Sequence, residues 1–256
     1  MRFHRLFSSL LLFCMMLPLM GSRDAGSAKR LVGKTYSLLF FISDQKSEWS
    51  ALEKQQFLQL IRDAEVWLTK QAKSYDQQIT FDYGVFGWKK DIEMNTMPDG
   101  TRSGKENVRL TKGIIEKLGY HNSQELLEQI QADNIQLLFL FKKDGVSYAF
   151  PFEKHLDPEF YLEGMAIYHR FDPQTPQCSA CIAHEFLHLF GAWDYYKSFQ
   201  TTIAQQDRAK ALYPNSIMLR TSYDIQELNI DPITAWRIGW IEEKPHDASF
   251  FQPKNP

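Results

Sequence analysis

Residues 184 to 194 read His-Glu-Phe-Leu-His-Leu-Phe-Gly-Ala-Trp-Asp, a string whose chemically able side chains fall at spacings that bring them to one place. On a helix, His184 and His188 lie one turn apart on the same face. Both imidazoles can therefore reach a single metal ion, with Glu185 projecting beside them toward a bound water. Gly191 suits a helix end in the left-handed conformation, which turns the chain and lets Asp194 act as a third ligand. Three protein ligands and a water make the open coordination that catalytic zinc requires. With this composition, His-Glu-x-x-His arises by chance in roughly one sequence of this length in a hundred, and the added Gly and Asp lower that by about two orders of magnitude. The competing reading, an amphipathic core helix whose histidines are merely satisfied polar groups, is weak by comparison.

The string His184-Glu185-x-x-His188-x-x-Gly191-x-x-Asp194 resembles the zinc motif of the metzincin metallopeptidases, in the minority form, found in snapalysin-like enzymes, that has aspartate as third ligand. The resemblance extends to Asn215-Ser216-Ile217-Met218, which looks like the methionine turn of that clan, 24 residues beyond Asp194. It implies that Met218 forms a hydrophobic floor under the metal; the alternative is an ordinary core methionine. It also implies a zinc-activated water, with Glu185 as general base and then general acid in peptide-bond hydrolysis. Some members place a tyrosine two residues after the turn methionine, where Arg220 stands here. Tyr223 is taken as the candidate oxyanion stabiliser, with Tyr195 and Tyr196 as alternatives.

The elements that must position these residues are legible from periodicity. Tyr36 to Ile42 is a short apolar run suited to a central strand, and Ser50 to Glu53 fits a capping box. Phe57, Leu60, Ile61, Ala64, Trp67, Leu68 and Ala72 then hold one face of a long helix. Ile79 to Val85 alternates as a second strand. Residues 87 to 107 turn polar, with Pro98-Asp99-Gly100 and Ser103-Gly104 as turn signals, and helical runs follow near 108 to 118 and 123 to 132. Ile135 to Phe141 reads as a buried strand, Lys143-Asp144-Gly145 as a hairpin turn, and Val146 to Phe152 as that strand's partner. Met165 to Phe171 is a further strand. Asp231 and Pro232 supply the N-cap and first position of a closing helix. The expected fold class is therefore α/β (α+β): a mixed twisted sheet, a long backing helix, the zinc helix and a C-terminal helix. The resemblance implies the same order and covers residues 34 to 241, and it implies that an edge strand, placed within Val146 to Phe152, binds an extended peptide.

Around this core, Arg2 and Arg5 precede a charge-free apolar stretch, Leu6 to Met20, followed by small residues at Gly21, Ser22, Ala25 and Gly26. This is the pattern of a signal peptide, residues 1–21, with an uncleaved anchor as the alternative and a mature start expected near residues 22 to 28. A short segment, 22–33, then leads into a single domain over 34–256. The chain carries 29 basic and 31 acidic side chains with no basic block, which excludes a nucleic-acid footprint. No second membrane segment is legible, and the expected partner is a peptide or protein substrate. For an exported protein, Cys178 and Cys181 predict a local disulfide, with a redox switch, free thiols or metal binding as alternatives. His121, His155, His169 and His246 read as satisfied or solvent-facing, and the polar run Asp99 to Glu106 as solvated surface. The rival functions are a zinc hydrolase of non-peptide amides, a non-catalytic binding protein that retains the fold, and a thiol redox protein.

Overall fold

The computed structural model describes residues 28, 30–94, 104–150, 159–160, 162–198 and 200–252. The expected signal stretch, the Pro98-Asp99-Gly100 turn, Ser103, His155 and the end of the 146–152 run lie outside the described residues. Strand β1 (Gly33–Ser43) is an interior strand of a mixed sheet in the order β2-β1-β4-β6-β5. It pairs in parallel with β2 (Ile79–Phe86) on one side and β4 (Asn134–Asp144) on the other. A short β3 (Ile92–Glu93) extends the pairing at Ile42. Strand β6 (Gly164–Asp172) continues the parallel set beside β4, and β5 (Tyr148–Phe150) closes the edge antiparallel to β6. A two-residue β7 (Thr175–Pro176) folds back on the end of β6.

The unbroken apolar runs of β1 and β4 follow from burial on both faces, as parallel strands require. On one face Leu39, Phe41, Leu138, Leu140, Met165 and Ile167 pack against the long helix α1 (Ala51–Lys73) and the helix that carries His184 and His188. On the other, Leu38, Phe40, Ile42, Leu137, Phe139 and Phe141 meet α2 (Gly104–Lys117) and α3 (Ser123–Gln129) through Leu110, Ile114, Ile115 and Leu126. The capping box at Ser50 and Glu53 starts α1 as its sequence predicts.

One expected pairing is overturned. The 146–152 run does not pair with the strand at 135–141, because both edges of β4 are taken, by β1 and β6. The chain instead crosses the end of β6 and adds to its far side, with Tyr148 opposite Ala166 and Phe150 opposite Gly164. Gly145 makes the crossing: its N–H donates to the Arg170 carbonyl at 2.9 Å, and a Cβ there would lie 2.7 Å from the Tyr168 ring. A hairpin and a crossover share the same turn chemistry, so the local sequence could not separate them.

Three further α-helices lie among the described residues. The motif helix α4 (Ser179–Leu189) packs beside α1, and α6 (Pro232–Arg237) has Asp231 as N-cap and Pro232 at its first position, as expected. Between them lies α5 (Ile203–Leu212), which periodicity did not foresee. It shows almost no apolar stripe and is started by a Thr202–Gln205 capping box. No helix among the described residues is long and apolar enough to cross a membrane.

Candidate metal centre

The motif helix begins at Cys178, whose extended backbone and side chain cap it: the Cys178 sulfur accepts the Cys181 N–H at 3.2 Å. The two cysteine sulfurs meet at disulfide distance, with Cα atoms 5.3 Å apart, so the helix start is tied as the spacing predicts. After the eleven helical residues, Gly191 ends the helix with φ +92°, donating to the His188 carbonyl, while Ala192 reaches back to Leu187 at 3.2 Å. This paired arrangement satisfies the last carbonyls and reverses the chain. The reversal carries Asp194 back over the histidines.

The three side chains form a nearly equilateral triangle. His184 Nε2 and His188 Nε2 are 3.1 Å apart, and each lies 3.1 Å from Asp194 Oδ1. All three are buried or nearly so. The other ring nitrogens fix what faces the centre. His184 Nδ1 lies 3.0 Å from the Ile217 carbonyl and His188 Nδ1 2.9 Å from the Ala192 carbonyl. A carbonyl only accepts, so both Nδ1 atoms carry the proton and, in the neutral rings, both Nε2 atoms present bare lone pairs. Asp194 Oδ1 correspondingly finds no hydrogen-bond donor despite its burial. Three converging lone pairs in the neutral rings and carboxylate suit a cation. Ligands about 2.1 Å from a tetrahedral ion stand roughly 3.4 Å from one another, close to the separations here. The residues therefore fit a metal ion, and among the described residues this is the one group of three or more such side chains that does.

The electrostatics say the same. Burial opposes charge on His188, but the adjacent Asp194 carboxylate, with Glu185 and the Ala192 carbonyl, pushes its pKa up to about 9. Burial would raise the Asp194 carboxyl, yet His188 and His184 hold it far below the usual carboxylate range. Both shifts mark a buried site whose surroundings favour positive charge.

Around the triangle, Glu185 turns its carboxylate toward the sheet edge, where Oε2 accepts the Ala149 N–H of β5 at 2.8 Å. Met218 is fully buried in a tight turn whose neighbouring Ile217 carbonyl fixes His184, and the Met218 carbonyl accepts the Tyr195 N–H at 2.8 Å. Of the three candidate tyrosines, Tyr223 is 54% exposed and Tyr195 is buried with its hydroxyl on Asp231. Tyr196 stacks on His184 with ring centroids 6.1 Å apart. Its place two residues past Asp194 was the available sequence signal.

Sequence reasoning read Asp231 only as a helix cap and missed its wider role. Its carboxylate accepts from Tyr195 Oη, Ser216 Oγ, Thr234 Oγ1 and the backbone of Ile233 and Thr234. Ser216 Oγ in turn accepts the Met218 N–H. From the other end of α6, Arg237 donates to the Gly191 carbonyl at 2.8 Å and lies 4.1 Å from the centre of a Trp193 ring. One short helix thus grips both the turn that fixes His184 and the turn that delivers Asp194. Away from the centre, His121 pairs with Glu125, and His169 meets Trp49 edge-on beside Glu53.

No family model and no curated protein matches the chain. Thirty-eight chains of solved structures match; one, titled "Structure of a chaperone-substrate complex", is 14% identical over 65% of this chain and 25% of its own length, with a TM-score of 0.37. A similarity at that level carries no argument about fold or function.

Proposed function

We propose that the protein is an exported, zinc-dependent endopeptidase of the metzincin type. The observation that carries this reading is the convergence of the His184, His188 and Asp194 lone pairs beside Glu185. Two imidazoles and one carboxylate form the N and O donor set that zinc favours, and they leave coordination open for reactants. When bound, zinc would lower the pKa of a water and polarise a carbonyl. The remaining work falls to the chain. Glu185, oriented by the Ala149 amide, takes a proton from the attacking water and returns it to the leaving nitrogen. The Ile217 and Ala192 carbonyls hold the imidazoles in the ligating tautomer. Tyr196, against His184, is the side chain best placed to donate to the developing oxyanion.

The order of elements, strand, long helix, strands, motif helix, methionine-bearing turn and closing helix, supports the metzincin reading. The edge position of β5, bonded to Glu185 through Ala149, suits an extended peptide that pairs with that strand. The test measures zinc content and cleavage of an unbiased peptide library on one purified sample. About one zinc per chain with peptide cleavage that a chelator abolishes is expected. A metal-replete sample that cleaves no peptide would sink the peptidase reading, and a sample that takes up no zinc would sink the metal site as well.

A further inference from the structure

The segment before β1 is anchored more firmly than a leader remnant needs to be. Leu31 is fully buried; its N–H donates to the Ile238 carbonyl and its carbonyl accepts from the Trp240 indole. Asn134 Nδ2 donates to the Arg30 carbonyl, and Arg30 reaches the Gly239 carbonyl. The chain is held in this way back to Ala28, which is 3% exposed and whose nitrogen donates to Glu163 Oε1 at 3.0 Å. Glu163 is itself 1% exposed and sits just before β6, with its own carbonyl bonded to the Leu137 N–H of β4. A carboxylate is thus buried at the foot of the sheet with the main-chain nitrogen of residue 28 against it.

The sequence just upstream explains why that nitrogen matters. Leader cleavage needs small residues at the last and third-last positions of the leader. Between residues 21 and 28 only two cuts meet this: after Ser27, with Ala25, and after Ala28, with Gly26. The second would remove the very nitrogen that Glu163 holds. We propose that maturation cuts the Ser27–Ala28 bond, and that the new α-ammonium of Ala28 is captured by the buried Glu163 carboxylate. In this step a leader peptidase of the exporting cell adds water across the peptide bond. Ser27 leaves with the carboxylate, and Ala28 keeps the nitrogen, which gains protons to become an ammonium. An amide-to-carboxylate hydrogen bond becomes a charge-assisted one in a site shielded from water. The inference rests on the export part of the function proposed above and is independent of zinc and peptidase activity.

Two measurements test it. Mass analysis of the protein from its native host should find Ala28 first. A start at Lys29 or Ser22 would overturn this proposal while leaving export intact, and an intact Met1 would overturn both. Separately, a chain beginning at Ala28 should melt about 5 °C above one that keeps Ala25-Gly26-Ser27. Glu163→Gln should abolish that gap. An Ala28 chain acetylated at its α-nitrogen, which keeps an N–H but loses the charge, should melt with the extended form; this arm decides the matter if Glu163→Gln does not fold. Equal melting of free and acetylated Ala28 chains would refute the capture, whatever the metal content of either sample.

Discussion

Glu185 neighbours two candidate ligands, and its carboxylate is turned toward β5 by the Ala149 amide at 2.8 Å. Glu185→Gln should therefore keep metal stoichiometry and lower turnover by at least a hundredfold, because it removes proton transfer and little else. Near-normal turnover in a metal-replete variant would exclude this role. Tyr196→Phe should lower kcat by about a hundredfold with metal content unchanged, since it deletes one oxyanion donor. Tyr223→Phe, at a half-exposed position, should leave kcat within about twofold. Glu65 belongs to stability. It is 7% exposed on α1, its Oε1 meets no hydrogen-bond partner, and burial, only partly offset by Arg62, raises its pKa to about 7. The folded state then holds a proton that the unfolded chain releases near pH 4.5, so stability falls as pH rises from about 4.5 to 7. Glu65→Gln should be more stable than the parent by about 3 kcal/mol at pH 8 and nearly equal to it at pH 4, as denaturant melts at both pH values will show.

At the scale of elements, α6 acts as a clamp of only six residues. Asp231 reaches Ser216 in the methionine-bearing turn and the hydroxyl of Tyr195, the residue that follows Asp194 in the chain, while Arg237 holds the Gly191 carbonyl. Asp231→Asn removes a carboxylate that five donors share and loosens both turns together. Metal affinity should fall by about ten- to a hundredfold, the usual effect of disturbing groups behind the ligands. Chelator competition measures that affinity. A core change matched in melting temperature, such as Ile61→Val on α1, should leave it unaltered. Strand β5 illustrates the same scale from another side. Its apolar alternation was legible, but the vacant edge that received it was on β6, because β1 and β6 already flank β4.

For the molecule as a whole, the centre lies between α4, the turn at 215–219 and the loop after Gly191, parts that meet only when folded. Metal that binds only the folded state stabilises it by mass action, by about 2.7 kcal/mol at a free concentration one hundredfold above Kd. Removing it with a chelator should lower the melting temperature by about 8 °C and abolish activity, with zinc restoring both. An unchanged melting temperature after proven metal removal would mean that these side chains hold their triangle without help from the ion.

The sequence by itself determined what local spacing can determine. His184 and His188 share a face because four residues make about one turn. Ser50 with Glu53 and Asp231 with Pro232 start helices through bonds to their own neighbours, and Gly191 tolerates the left-handed turn that other residues resist. Cys178 and Cys181 are close enough in the chain to meet without tertiary help. Only the tertiary structure decided which strand β5 would join, that the Ile217 carbonyl would orient His184 from 33 residues away, that Tyr196 would lie against that ring, and that Asp231 would tie the two turns together. These contacts join residues far apart in the chain, and their partners are selected by which edges and buried donors the packed sheet and helices leave available. Helix α5 marks the boundary between the two kinds of information. Its Thr202–Gln205 cap was written in the sequence, but without an apolar stripe its extent appeared only in the fold.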